Sequence, residues 1–353
     1  MASDKPSTEI IPFAKAAEIK RLDANTYQAN LIDSFCIGAV PNGGYVASCI
    51  LQAAILHGSS SSHPKPHVMN AHFEYLNRTQ VGPATIIIED VKPGRQLTTL
   101  HATLYQGNIS DSDLSQTTSG NKTKRVAAYL VMTNLSSLTG LSLNTQFTLL
   151  PPPLVPSPSQ NPDFSLLKQN RDPHWTAIPS LPLPRASGSR AGSSYIRALQ
   201  NTHFYIPRRG QPRKSIIDLW IRLASGEKFT NASLGYVSDC WPYVVEAYRP
   251  RSQEEEEEGM PVPFRHDAKH WYPTVVMNIE QKKAAPEREG GWEWLRMRVS
   301  SKEIRGGRFD LEVVVMDEKG ELVVVSNHVG LVLGSERNLA GRGIGGMKGQ
   351  SRI

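Results

Sequence analysis

The stretch "PNGGYVASCILQAAILHG", residues 41–58, decides how the rest of the chain is read. Val46, Ala47, Ile50, Leu51, Ala54 and Ile55 recur at three- and four-residue spacing, which predicts an α-helix. Asn42 stands where an N-cap belongs, and Gly58 supplies a stop signal. Up to Leu56 only Ser48 and Gln52 are polar, so the apolar surface runs most of the way round the cylinder rather than along one stripe. Such a helix is buried. Gly43 and Gly44 should cost its first turn about 1 kcal/mol each relative to alanine. Two compensations are open. Glycine permits close approach of a neighbouring backbone, and bare N–H groups at the start of a buried helix can hold a carbonyl oxygen or an oxyanion.

Composition bounds the alternatives. The 353 residues are enough for two ordinary domains, and 39% hydrophobic with 20% charged residues is a soluble globular balance. The polar start "MASDKPSTE" has no apolar signal segment, and no apolar run is long enough to span a bilayer. A cytoplasmic protein with no membrane span is the expectation. Cys36, Cys49 and Cys240 are an odd, widely spaced trio without CxxC pairing, which argues against a disulfide framework and against zinc. The formal charge of +6 is scattered, with no basic helix and no alternation of basic and aromatic residues, so no nucleic-acid partner is expected. A small phosphate-bearing ligand suits that charge better. The acidic run "EEEEEG" at 254–259 reads as a solvated loop.

The organisation repeats along the chain. After the first helix, strand-like runs in "HVMNAHFEYLNRTQVGPATIIIEDVKPGRQLTTLHATLYQGN" are punctuated by "QVGPA" and "VKPGRQ", signals of antiparallel connections. A polar loop follows at 107–124, then the strand "RVAAYLVMTNL". Residues 150–194, rich in proline and serine, read as a linker or surface strap between an N-terminal unit, 1–149, and a C-terminal unit, 195–336, with a glycine-rich basic tail at 337–353. The second unit begins again with the strand "SIIDLWIRLA", the helix "TNASLGYVSDCWPYVVEAY" and the strand "HWYPTVVMNIEQKK". A three-strand meander with "DEKGE" as a hairpin turn completes it. Each unit is of α+β type, and two copies can bury each other's open edges.

The residues "NGGYVASCILQAA", "HFEYLNRTQVGPA" and "VKPGRQLTTLHATLYQ", followed by "LGYVSD", "YPTVVMNIEQ" and "GELVVVSNHVGLV", resemble the bacterial acyl-CoA thioesterase II family and its fungal thioesterase-like relatives. The resemblance covers most of residues 20–335. It implies a double hotdog: two long central helices, near 44–57 and 231–247, each wrapped by an antiparallel sheet, with the sheets joined edge to edge. It also implies action on acyl thioesters of coenzyme A or an acyl carrier protein, with no cofactor or metal, in a chain that forms a homo-oligomer.

The same resemblance assigns roles. Asp239, in the "SD" pair, matches one of three polar residues that activate water in the family, although Pro242 should kink that helix and leave the carboxylate near its carbonyl end. Thr274 matches the second position. His328 falls on the third, where the bacterial enzymes carry glutamine, so this chain departs from the pattern there. If Asp239 and His328 meet, the carboxylate would orient the imidazole as base for a water. Asn42, Gly43 and Gly44 are the candidate substrate-binding residues, with close packing ranked above an oxyanion role for the glycines. A hotdog dehydratase or hydratase, and a noncatalytic acyl-thioester-binding protein, are the alternatives. Ser351-Arg352-Ile353 resembles a relaxed C-terminal peroxisomal signal, the alternative to a cytoplasmic address.

Overall fold

The computed structural model describes residues 10–60, 63–107, 122–157, 160–178, 195–249 and 269–339; the acidic run and the C-terminal tripeptide lie outside them. A one-turn helix, α1 (Phe13–Ala16), precedes the helix that the opening stretch predicts, α2 (Gly43–Ser59). The Asn42 side chain accepts from Tyr45 N at 2.9 Å, so the N-cap is as expected. Gly58 does not stop the helix. It lies within the last turn, where a Cβ would come 2.5 Å from Lys65 O, so glycine is there for clearance.

Six strands of the first half join the main sheet: β1 (Ile19–Arg21), β2 (Thr26–Leu31), β5 (His67–Tyr75), β6 (Gly82–Lys92), β7 (Thr98–Gln106) and β8 (Thr123–Thr133). Between them β3 (Cys36–Ile37) and β4 (Val40–Pro41) form a separate short ladder leading into α2. The second half supplies β9 (Trp175–Ala177), β10 (Thr202–Pro207), β11 (Ile216–Leu223), β13 (Thr274–Gln281), β14 (Leu295–Ser300), β15 (Ile304–Arg305), β16 (Arg308–Met316) and β17 (Leu322–Leu331). A second short ladder pairs β12 (His270–Trp271) with β18 (Leu333–Gly334).

The main sheet is antiparallel and runs β1-β2-β6-β7-β8-β5-β13-β17-β16-β14-β11-β10-β9, with β15 beside β16. The two halves share one topology. In the first, β2-β6-β7-β8-β5 wraps α2; in the second, β11-β14-β16-β17-β13 repeats that order, and the equivalent strands β5 and β13 pair to make the sheet continuous. This is a double hotdog. The joint removes two sheet edges that would otherwise offer unpaired N–H and C=O groups.

The second central helix is shorter than the periodicity suggests. The structure has α4 (Leu234–Asp239) and then a 3-10 segment, Tyr243–Tyr248, in place of one helix over 231–247. Pro242 is the cause, because it has no N–H for the Ser238 carbonyl and its ring clashes with the preceding turn. The strap after 150 contributes α3 (Phe164–Lys168) and β9, and Trp175 joins Leu167, Tyr205, Trp220 and Trp294 in a small aromatic core separate from the main one.

The central helices touch backbone to backbone. A Cβ on Gly44 would lie 2.5 Å from Gly235 O and 2.6 Å from Asp239 Cβ, and one on Gly235 would lie 2.8 Å from Ser48 N. Tyr45 and Tyr236 follow these glycines and act alike: each buries its ring and donates its hydroxyl to a carbonyl, Ala16 O at 2.7 Å and Ala198 O at 2.8 Å. Among the described residues no helix is long and apolar enough to cross a membrane. Gly44→Ala is expected to lower stability by at least about 1–3 kcal/mol, the usual cost of overpacking. Urea unfolding would show a lower midpoint at constant m-value; an unchanged midpoint would mean that the two helices do not meet at Gly44 and Gly235.

Candidate active site

Asp239 ends α4, where the partial negative charge of the helix terminus should repel a carboxylate. The N-terminus of α2 supplies the compensation. Asp239 Oδ2 accepts Gly44 N at 2.8 Å and Asn42 Nδ2 at 3.3 Å, and Oδ1 accepts Thr274 Oγ1 at 2.8 Å. The bare backbone of the glycines lets the carboxylate in: a Cβ on Gly43 would stand 3.0 Å from Oδ2. Asn42 is bound at both ends of its amide, its oxygen on Tyr45 N and its nitrogen on Asp239, which fixes its orientation. Asp239 is only 4% exposed, so these donors replace nearly all of its water.

Thr274 opens β13 opposite Gly330, and the register slips between Thr274 and Val276. Such a bulge turns a strand and re-aims its side chains; here Thr274 reaches the end of α4. His328, on β17, has a wholly buried side chain with Nδ1 3.6 Å from Asp239 Oδ1, beyond hydrogen-bond length. Its Nε2 lies 2.9 Å from Ser326 Oγ, which donates to Asn278 O at 2.5 Å. With the hydroxyl proton committed to Asn278, Nε2 is the donor to Ser326.

A cavity of about 310 Å³ opens against this group. Asn42, Gly43, Asp239 and Thr274 border it, while Gly44 and His328 stand behind them. The backbone N–H of Gly43, at the very start of α2, has no acceptor among the described residues. Tyr75, which sequence reasoning missed, also borders the cavity and donates its hydroxyl to Gly43 O at 2.9 Å. Burial, followed by the Asp239 charge, pushes that phenol well above its usual range, so it stays a donor. Among the described residues no cluster of three or more His, Cys, Asp or Glu is arranged to hold a metal ion.

The model of the acyl-CoA thioesterase N-terminal domain matches residues 31–129, and that of the C-terminal domain matches residues 169–332. The chain is 42% identical to a thioesterase-like protein, TwmA, of Talaromyces wortmannii, over 96% of this chain and 97% of that protein.

The chain belongs to the acyl-CoA thioesterase family.

Solved structures agree on the fold. A hot dog protein of unknown function from Alicyclobacillus acidocaldarius matches with a TM-score of 0.60 at 14% identity, over 91% of this chain and 97% of its own. The acyl-CoA thioesterase II TesB2 of Mycobacterium marinum matches with a TM-score of 0.54 at 16% identity, over 92% and 98%.

In this acyl-CoA thioesterase family member the two halves are not equivalent at the site. Gly44-Tyr45-Val46-Ala47-Ser48 aligns with Gly235-Tyr236-Val237-Ser238-Asp239, so Ser48 stands where the second half has Asp239. Its hydroxyl plays the matching structural part, accepting Tyr236 N at 2.9 Å. Val68-Met69-Asn70 on β5 similarly matches Val276-Met277-Asn278 on β13; since Val131 faces Asn70 and Asn327 faces Asn278, Met132 takes the place of His328. Acid and imidazole therefore occur together on one side only.

Cysteine chemistry is not available here. All three thiols are free and buried, and Cys240 follows Asp239 directly. Burial pushes Cys36 and Cys49 up to about 12, and burial with the nearby Asp239 charge raises Cys240 further. The folded protein is expected to react with a thiol-exchange reagent at neutral pH at least about 10²-fold more slowly than the denatured chain, because the thiolate is the reactive form. Rapid labelling of one thiol in the native state would show that the core near the site opens.

Proposed function

We propose that this chain hydrolyses acyl thioesters, and that Asp239 with Thr274 holds the attacking water. One observation carries the reading: a buried carboxylate and a hydroxyl, 2.8 Å apart, meet at the wall of a cavity that also receives the open N-terminus of a buried helix. The thioester carbonyl lies over Gly43, whose N–H receives the carbonyl oxygen as it gains charge, assisted by the α2 dipole. Water at Asp239 and Thr274 adds to the carbonyl carbon and passes its proton to Asp239. The tetrahedral species then collapses, breaking the carbon–sulfur bond, and the departing thiolate takes that proton. The leaving thiol is the phosphopantetheine arm of coenzyme A or of a carrier protein, and the net positive charge of the chain suits either.

His328 enters through Asp239 rather than through the water. The ring does not border the cavity, and Ser326 fixes it from behind, so the order of groups is His328, Asp239, water. The reading from sequence, with histidine as the base, places the two in the opposite order. A glutamine in the same place, behind Asp239, could turn an amide N–H to the carboxylate.

Free thiol release from a panel of acyl-CoAs tests the activity; ligand binding without release from any of them would overturn it. Asp239→Asn should lower kcat by about 10²–10⁴-fold, the usual loss when a general base is removed, with the fold retained. His328→Gln should stay within about tenfold of the parent, because the proton transfer itself remains with Asp239. A His328→Gln variant as inactive as Asp239→Asn would make the imidazole the base.

A further inference from the structure

Glu246 is a buried carboxylate that the chemistry just described leaves unused. It lies on the 3-10 segment Tyr243–Tyr248, only 4% exposed, and borders the cavity. Its Oε1 accepts the Tyr272 hydroxyl, and its Oε2 accepts Arg249 Nη1 at 2.7 Å, a charge-assisted bond that fixes how the carboxylate is turned. His270 Nδ1 stands 3.8 Å from Oε1, beyond hydrogen-bond length. Burial first, and then the Glu246 charge, raises the Tyr272 phenol above its usual range, so it stays a donor. The Tyr272 ring is held edge-on by Tyr243, with centroids 5.6 Å apart, and by Phe309, at 5.9 Å.

This hydrogen bond joins the same two stretches of chain as the bond between Asp239 and Thr274. Asp239 and Glu246 flank Pro242, and Tyr272 stands just ahead of Pro273 and Thr274. The two stretches, both bordering the cavity, are therefore tied twice: Thr274 Oγ1 to Asp239 Oδ1 at 2.8 Å, and Tyr272 to Glu246. The sheet alone restrains Thr274 weakly. It lies at the joint where β12, paired with β18, gives way to β13, paired with β17, and the register slips immediately after it. Pro273 accepts Leu331 N at 3.0 Å but has no N–H to give in return. An apolar pair in place of Glu246 and Tyr272 would fill the same space, and what the hydrogen bond adds is direction. We propose that Glu246, acting through Tyr272, is a positioning residue for the reaction: it sets the place of Thr274 against Asp239, and so the place of the water they hold. The inference rests on the reading of Asp239 and Thr274 given above, and its test separates the failure of one from the failure of the other.

Thiol release is followed with acetyl-, octanoyl- and palmitoyl-CoA, and kcat and KM are compared on the fastest of these, at a temperature where thermal unfolding shows each variant folded. Tyr272→Phe keeps the ring and removes the donor; kcat should fall about ten- to hundredfold, the scale of a misplacement near 1 Å, with KM changed by less than about threefold. Glu246→Leu should do the same. Glu246→Gln should keep kcat within about threefold of the parent, since its amide oxygen can still accept the phenol. These two variants carry the test if Tyr272→Phe does not fold. In a Thr274→Val background Tyr272→Phe should have no further effect on kcat, because the tie acts only through Thr274. A tie that merely stabilises the fold would lower the melting temperature in both backgrounds and leave kcat as it was, which would overturn the positioning role, as would an equal fall in kcat in both backgrounds. If Thr274→Val itself leaves kcat unchanged, the water is not held as described and the positioning role falls with it. No thiol release by the parent from any of these thioesters would overturn the thioesterase reading first, and the positioning role as its consequence.

Discussion

The carboxylate of Asp239 against the first turn of α2 is the interaction on which this architecture turns. A buried carboxylate needs donors, and the carbonyl end of its own helix can give none. The first turn of another helix gives backbone N–H groups and the favourable end of a dipole. Placing Asp239 there requires the two helices to approach until Gly44 and Gly235 nearly touch, which only glycine allows. The glycines serve that approach, and Asn42, which caps α2 with its amide oxygen, turns its amide nitrogen to the same carboxylate. Pro242 fits the same account: by ending the helix at Asp239 it lets the following chain turn away and form the far wall of the cavity.

The edge-to-edge pairing of β5 with β13 does the rest. It fixes the two hotdogs so that α2 of one half meets α4 of the other, and it carries Thr274, at the bulged end of β13, to the carboxylate. The halves keep their common skeleton, in which paired tyrosines donate to backbone carbonyls and a polar side chain from each helix receives an N–H of the other. They differ in chemistry. Ser48 is enough to satisfy one N–H, whereas Asp239 brings charge, and Met132 offers nothing where His328 stands. One half meets an N–H of the other with a hydroxyl, and the other meets it with a carboxylate.

Much of the fold was legible because burial leaves a periodic mark. The nearly all-round apolar surface of 44–57 marks a buried helix, and the alternation and turn residues that follow mark a meander in each half. The pair Gly43-Gly44 showed that something must come close, without showing what. What comes close is a second helix, α4, whose last residue, Asp239, takes the N–H of Gly44. Asp239 stood out in the sequence as a charge among apolar neighbours, three residues before a proline. The exact extent of α4 was less legible, because Val244 and Val245 continue a helical spacing that Pro242 has already ended.

The sequence by itself determined the elements, their order and the duplication, since these depend on local propensity and on the period of burial, which are written in neighbouring residues. It also marked Asp239, Thr274 and His328 as a set through family resemblance. Only the tertiary structure decided how that set is layered, with Asp239 and Thr274 at the cavity wall and His328 behind them. It alone brought in Tyr75, which carries no local signal because a tyrosine in a strand looks the same whether it faces core, solvent or ligand. The reason is physical. Hydrogen bonds between groups 35 or 195 residues apart in the chain depend on distances of a few tenths of an ångström, and those are set by the packing of whole sheets rather than by any stretch of chain.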